Sequence, residues 1–89
     1  MLHAVDSVRQ FPCTFPIKSI GKGGEGFETR VMDVVRRHVS DLSESPVKVR
    51  ESRQGKWVAV TLVIQAESRT QLDAIYQDLR RQEGVVWAL

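Results

Sequence analysis

Three glycines near the amino terminus have the spacing of a nucleotide-binding loop. Gly21, Gly23 and Gly26 fit the pattern G-x-G-x-x-G, with an apolar run before them and a helical pattern after them. In dinucleotide-binding proteins this arrangement brings the backbone N–H groups of a helix start against a pyrophosphate. The motif is therefore compatible with two structures, a nucleotide site or a glycine-rich turn.

The surrounding sequence favours the turn. A Rossmann unit needs a parallel sheet and a longer chain, whereas the strand predicted after the first helix runs into a short hairpin and pairs antiparallel. Glycine also permits the positive φ that a sharp strand-to-helix turn requires. A weak anion or small-ligand contact at this loop stays as an alternative, and its residues would be Gly21, Lys22, Gly23, Gly24 and Gly26.

Acylphosphatase is the enzyme whose loop looks similar in outline, since it has the same element order and a glycine-containing loop in the same place. That resemblance implies an arginine after the Gly-Phe pair, to hold phosphate, and an asparagine that positions water. Here Glu28 follows Gly26 and Phe27, and the chain contains no asparagine. Because a carboxylate repels a phosphate, we expect no acylphosphatase activity.

No other set of residues predicts catalysis. Of the two histidines, His3 lies in the tail, while His38 has no second ligand at metal spacing and is expected to complement the dipole at a helix end. Cys13 is the single cysteine, which excludes an internal disulfide, and no activating base lies near it in sequence. We expect a protein that is not an enzyme and that uses no metal or cofactor.

The elements that must position these residues have the order β-α-β-β-α-β. Strands are predicted at 13–21, 47–52, 57–66 and 85–89, and a first helix at residues 25 to about 39. A second helix begins at a capping box of Ser68 and Gln71 and ends at Gly84. Pro12 and Pro16 indicate an edge or strand-start setting for the first strand. The pattern predicts a ferredoxin-like α+β sandwich, a four-stranded antiparallel sheet with two helices on one face.

The chain of 89 residues has the length of one domain, which we place at residues 11–89 after a flexible tail at 1–10. Its hydrophobic fraction of 42%, charged fraction of 27% and net charge of +2 are typical of a soluble globular protein. No apolar run is long enough for a membrane span, and the first residues lack the features of a signal peptide. We therefore expect a cytoplasmic protein with no membrane contact.

Strand 57–66 has two different faces. One face is a continuous apolar row that should pack under the helices, formed by Val58, Val60, Leu62, Ile64 and Ala66. The opposite face would leave apolar surface in water, which often marks an interface. We expect it to be covered by a homodimer contact or by a partner protein, and the interface candidates are Trp57, Ala59, Thr61 and Val63.

The hairpin before this strand is basic. Its four cations and Glu51 give a net charge of +3 within residues 47–56, and Trp57 follows them. Such a hairpin could contact RNA phosphates and stack a base, although the row that begins at Trp57 lacks the paired aromatics that RNA stacking uses. Protection of a sheet edge by charge is the simpler interpretation. The residues of the RNA-binding alternative are Lys48, Arg50, Arg53 and Lys56.

Several segments resemble the YbeD-like family of small, uncharacterised bacterial proteins, and the resemblance covers nearly all of residues 11–89. Its most specific piece is S-x-x-G-K-W…A-x-S-x-x-Q-L-x-x-I-Y, matched by Ser52, Gly55, Ala66, Ser68, Gln71 and Tyr76. The resemblance implies a ferredoxin-like fold similar to ACT regulatory domains, a regulatory or accessory role, and a link to lipoate metabolism through gene neighbourhood. ACT domains bind amino acids near the first strand–helix loop, which would implicate residues 21–26 in ligand sensing.

Overall fold

Six elements follow one another in the predicted order β-α-β-β-α-β in the computed structural model, which describes residues 10–23, 26–42 and 45–88. The predicted tail at 1–10 therefore lies almost entirely outside the described residues. The element bounds are β1 Cys13–Lys22, α1 Phe27–Arg36, β2 Val47–Glu51, β3 Trp57–Ala66, α2 Arg69–Arg81 and β4 Val85–Ala88.

The four strands form one antiparallel sheet in the order β2-β3-β1-β4. β1 and β3 pair over their full length, from Cys13 opposite Ala66 to Lys22 opposite Trp57. β2 pairs with the other side of β3, and β4 pairs with β1 at one end. With both helices on one face, this arrangement is the predicted ferredoxin-like sandwich, so the fold prediction is confirmed.

The core lies between the sheet and the helices. The apolar row of β3 is buried as predicted, because alternate residues of a strand point to opposite faces and this row points towards the helices. β1 contributes Ile17, which is fully buried. Each helix packs its apolar face, whose residues recur at helical spacing, against the sheet. The buried residues are Phe27, Val31, Val34 and Val35 of α1 and Leu72, Ile75 and Leu79 of α2.

β1 is an interior strand of the sheet and not an edge strand, and the strand-start setting expected for its prolines holds for Pro12, which directly precedes Cys13. Pro16 pairs with Val63 of β3, yet the short β4 contacts β1 only at Ser19, Ile20 and Gly21. At the level of Pro16, β1 therefore has a strand neighbour on one side only. A residue without a backbone N–H is tolerated there because no second ladder needs that donor.

The helix ends differ slightly from the predicted ones. α1 is shorter than residues 25–39, because the chain after Arg36 tightens into a turn in which the His38 N–H donates to the Val35 carbonyl at 2.9 Å. At the start of α2 the Ser68 hydroxyl accepts from the Gln71 N–H at 3.0 Å, as a capping box predicts. The Gln71 side chain then accepts from the N–H of Glu67, one residue before the cap.

Candidate functional site

The candidate site is the face of the sheet that points away from the helices, which we call the open face. All four predicted interface residues of β3 lie on it. Trp57 is 42% exposed, and Ala59, Thr61 and Val63 are half-buried by their neighbours in the sheet. Their position agrees with the strand alternation, and a role in an interface stays a prediction.

A second tryptophan lies on the same face. Ile20 of β1 pairs with Ala59 on one side and with Trp87 of β4 on the other, so Trp87 points away from the helices as well. Trp87 is 43% exposed. The two tryptophans lie on the strands that flank β1, and standard strand spacing puts their Cα atoms roughly 12 Å apart. We call Trp57, Ile20, Ala59 and Trp87 the aromatic corner.

Sequence reasoning did not identify Trp87 as a site residue. The register between β1 and β4 shifts between Ile20 and Gly21, and such a shift changes the face to which a following side chain points. The segment VVWA has no polar residue, so its composition gives no alternation from which its outward side could be read. Only the pairing with Ile20 assigns Trp87 to the open face.

Beside the aromatic corner, the open face carries only positive charge. Lys18 and Lys48 pair with Thr61 from opposite sides, Arg50 pairs with Ala59, and Lys22 pairs with Trp57. The one carboxylate in the four strands, Glu51, pairs with the buried Val58 and so belongs to the other face. We call this set the cationic strip, and its members are Lys18, Lys22, Lys48 and Arg50.

A shallow groove of about 520 Å³ runs across the cationic strip. Three of its lining residues, Lys18, Lys48 and Arg50, carry positive charge. The others are Pro46, Val47 and three residues of β3, Ala59, Thr61 and Val63. The groove can therefore accommodate a chain segment that brings negative charge and small apolar groups together.

Only two of the four basic residues of the RNA-binding alternative line that groove. Lys48 and Arg50 belong to the cationic strip, whereas Arg53 and Lys56 lie in the loop between β2 and β3. That loop is closed by hydrogen bonds, with the Ser52 side chain accepting from the Trp57 N–H at 3.0 Å and Gly55 donating to the Ser52 carbonyl at 2.9 Å.

A different structural feature explains the glycine at each position of the G-x-G-x-x-G match. A Cβ atom at Gly21 would collide with the Phe27 ring, and one at Gly23 would collide with the carbonyl of Gly55. Gly26 is the N-cap of α1 with φ 91°, a conformation that glycine adopts without strain. Close packing against α1 and the hairpin, together with one left-handed turn, therefore accounts for the spacing.

Two backbone donors of this loop already have partners. The Lys22 N–H donates to the Gly84 carbonyl at 3.2 Å, and the Gly23 N–H donates to the Lys56 carbonyl at 2.7 Å. Neither N–H is free for an anion, and the side chain of Lys22 belongs to the open face. Gly24 lies outside the described residues. Ligand binding at Gly21–Gly26 stays a prediction, with fewer available donors than the sequence pattern indicates.

His38 has a specific partner that the sequence did not reveal. A hydrogen bond of 2.6 Å joins its Nε2 to Oδ2 of Asp78 in α2, and the Gln71 side chain donates to the His38 carbonyl at 2.8 Å. The hydrogen bond from His38 lowers the pKa of Asp78, partial burial opposes that change, and the charges of His38, Arg37 and Arg81 add to the lowering. The cluster fastens the end of α1 to α2 and lies on the helical side of the molecule, away from the open face.

The described residues contain neither a metal-binding cluster nor a membrane-spanning helix. Within 10–23, 26–42 and 45–88, no three His, Cys, Asp or Glu side chains lie close enough together to hold a metal ion. No helix in this part of the chain combines the length and the apolar composition that a membrane crossing needs.

Comparison with a family model and with known proteins gives matches that cover most of the chain. Residues 6–89 match the family described as protein of unknown function (DUF493). A UPF0250 protein of Nitrosomonas europaea is 43% identical over 84 residues, which cover 94% of this chain and 97% of that protein. A UPF0250 protein of Ectopseudomonas mendocina is 47% identical over 72 residues, with 80% and 78% covered. These matches confirm the YbeD-like resemblance.

Comparison with solved structures supports the fold. The solution structure of protein HP0495 from H. pylori superposes with a TM-score of 0.69 and covers 92% of this chain and 86% of that chain. The two sequences are only 14% identical, so the similarity concerns the arrangement of strands and helices and not the side chains of the open face.

Proposed function

We propose that this chain, which belongs to the DUF493 family of proteins of unknown function, acts as a non-catalytic binding module that holds a partner protein on its open face. The partner that this face fits is a protein surface with carboxylates beside apolar side chains. The observation that carries the proposal is the aromatic corner next to the cationic strip, on a face that no described part of the chain covers.

The aromatic corner supplies the apolar contact. Tryptophan is enriched among the residues that contribute most to protein–protein binding, because one rigid side chain removes a large area from water. Trp57 and Trp87 each leave more than two-fifths of their surface exposed, and Ile20 lies between their strands. A partner that covers this corner would gain the burial that the isolated domain lacks.

The cationic strip determines the sign of the charge that the partner surface must carry. Four positive side chains with no carboxylate among them attract an acidic surface and repel a basic one, and they also speed up the encounter. The same charges act against a homodimer in which two open faces meet, because the two strips would be brought into contact. Of the two occupants expected from the sequence, an acidic partner protein therefore fits this face better than a second copy.

A regulatory role and the link to lipoate metabolism, both implied by the family resemblance, belong to the same proposal. A module whose described residues offer a binding face and no set of reacting groups would act by changing the activity or the position of its partner. The geometry supports binding, while the pathway rests on the resemblance alone.

Binding of single-stranded RNA is a second candidate function, favoured by Trp87. The row of β3 alone offers one aromatic, and Trp87 adds another on the same face, which gives two platforms for base stacking beside four cations. The uncharged lining of the groove argues for a protein, since Pro46, Ala59, Thr61 and Val63 have no π face for a base.

Affinity capture with matched charge-reversal variants tests the proposal. Wild-type protein, Arg50→Glu on the open face and Arg36→Glu on α1 are used as bait in lysate treated with nuclease. The exposed Arg36 side chain pairs with Asp33 at 2.7 Å, so this control changes charge equally on the opposite side of the molecule. Surface pairs of this kind contribute little to stability, which keeps the control folded.

The proposal requires one protein that wild type and Arg36→Glu retain and Arg50→Glu loses. When that protein is purified, its Kd should rise at least roughly tenfold on Arg50→Glu, as expected for loss of a close charge pair. Identical captures by the two variants would overturn the proposal. Loss of all partners on nuclease treatment would replace it with the RNA-binding candidate.

A further inference from the structure

The last strand of the chain forms an edge of the sheet with no charge on it. β4 consists of Val85, Val86, Trp87 and Ala88, and it pairs with β1 on one side. No described residue pairs with its other side. Val86 is 59% exposed, more than any other large hydrophobic side chain in the described part of the chain.

The opposite edge of the same sheet, β2, is protected against pairing with a further strand. β2 carries Lys48, Arg50 and Glu51 within five residues. Charged side chains on an edge strand disfavour pairing with another strand, and natural proteins use them for this purpose. β4 has neither a charge nor a proline, so neither of these devices keeps a further strand from its outward edge, where the Val85 N–H already donates to the Gln82 carbonyl at 3.2 Å.

We propose that β4 pairs with β4 of a second copy of this chain, antiparallel about a two-fold axis, so that two sheets join into one sheet of eight strands. An antiparallel two-fold contact is self-complementary and needs no matching partner sequence. A strand without charge has no feature that would select an oppositely charged foreign strand. Val86 of each copy would be covered at the new junction.

Edge pairing keeps the like charges of the two copies apart. Lys18 and Lys22 lie on β1, next to β4, so three strand spacings separate them from their counterparts, about 14 Å. That distance exceeds the Debye length of about 8 Å at physiological salt. Lys48 and Arg50 lie at the far edge of each sheet and are further apart still. The repulsion that opposes face-to-face association is therefore weak here.

The dimer would leave the open face free. Because the two sheets are continuous, both open faces would lie on the same side, and the two Trp87 side chains would flank the junction. A partner with two binding segments could then engage both copies, which raises the apparent affinity without a new contact. The outer edge of β4 is separate from the groove. An experiment can therefore disprove the dimer without disproving partner binding, and the reverse.

Solution mass with a matched pair of edge variants tests the dimer. Wild type should show about twice the chain mass of 10.1 kDa by sedimentation equilibrium at tens of micromolar, and Val86→Lys should return it to the monomer value. Val49→Lys is the control, because Val49 is also a valine on an edge strand, is 41% exposed and lies on β2. It should leave the dimer intact.

Circular dichroism establishes that each variant is folded before its mass is interpreted. If Val86→Lys fails to fold, amide exchange of wild-type β4 replaces it, and protection that increases with protein concentration is the expected result. A wild type that stays monomeric at hundreds of micromolar overturns the proposal. Equal loss of the dimer in Val49→Lys and Val86→Lys, or assemblies larger than a dimer, also overturns it.

Discussion

Trp57 and Trp87 lie on the same face of the sheet, on the two strands that flank β1. Lys22 is directly opposite Trp57, and Ile20 is directly opposite Trp87. Two large apolar side chains are thereby held beside a positive surface by the register of the strands. This arrangement has consequences that can be measured without a partner.

Anionic quenchers should reach the tryptophans more efficiently than their exposure alone predicts. The cationic strip raises the local concentration of iodide, so replacing Lys22 with Glu should reduce iodide quenching of the fluorescence roughly twofold at low salt. Acrylamide is neutral and should quench both proteins equally. Arg36→Glu on α1 serves as the control and should not change iodide quenching. An equal decrease in both variants would mean that net charge, and not the strip, is responsible.

Gly23→Ala should destabilise the fold more than Gly26→Ala. The added Cβ at position 23 meets the backbone carbonyl of Gly55, which cannot move without disturbing the hairpin, so we expect a cost of about 3 kcal/mol. At position 26 nothing lies within 4 Å of the added atom, and only the positive φ is strained, at about 1 kcal/mol. Urea denaturation measures both. The reverse order would contradict the packing explanation of the glycine pattern.

Asp78→Asn should lower stability at neutral pH and lose its effect in acid. The pKa of Asp78 is lowered in the folded protein, chiefly by the hydrogen bond from His38, so the charged carboxylate favours the folded state. That contribution is present above the unfolded pKa of about 4 and is lost as the pH falls through the lower folded value. Asp73→Asn, on the exposed side of α2, is the control. If Asp78→Asn destabilised the protein equally at the lowest pH, the charge of the Asp78 carboxylate could not be the cause of the effect.

Ser19→Ala should stabilise the protein. The Ser19 side chain is fully buried, and its hydroxyl has no hydrogen-bond partner among the described residues. Removing a buried polar group without a partner recovers its desolvation cost, about 1 kcal/mol, which corresponds to a rise in Tm of roughly 4–8 °C for a domain of this size. Differential scanning calorimetry measures the change. A lower Tm would show that the hydroxyl forms a hydrogen bond in solution.

Local patterns predicted most of the fold. The alternating sequence of β3 correctly predicted which of its side chains face the helices and which face away, and Ser68 with Gln71 correctly predicted the start of α2. These features depend on neighbours within a few residues, so sequence spacing is sufficient to find them. The ferredoxin-like order of strands followed from the order of the elements.

The remaining features depend on contacts between distant segments. His38 and Asp78 are 40 positions apart, and no local pattern pairs them. Trp87 reaches the open face only because β4 pairs with Ile20 beside a register shift. Pro16 is tolerated in an interior strand because β4 is too short to pair with β1 at that level. Two members of the aromatic corner, Ile20 and Trp87, and the cause of the glycine spacing therefore depend on the tertiary structure and could not be predicted from local sequence.

Chemical-shift mapping with the captured partner tests the central claim most directly. The chain has two tryptophans, so two indole N–H signals of the isotopically labelled protein report on the aromatic corner. Both signals should shift on titration, together with the backbone amides of β1 and β3, while those of α1 and α2 stay in place. Shifts confined to the helices or to the glycine loop, with both indole signals unchanged, would contradict binding through the open face.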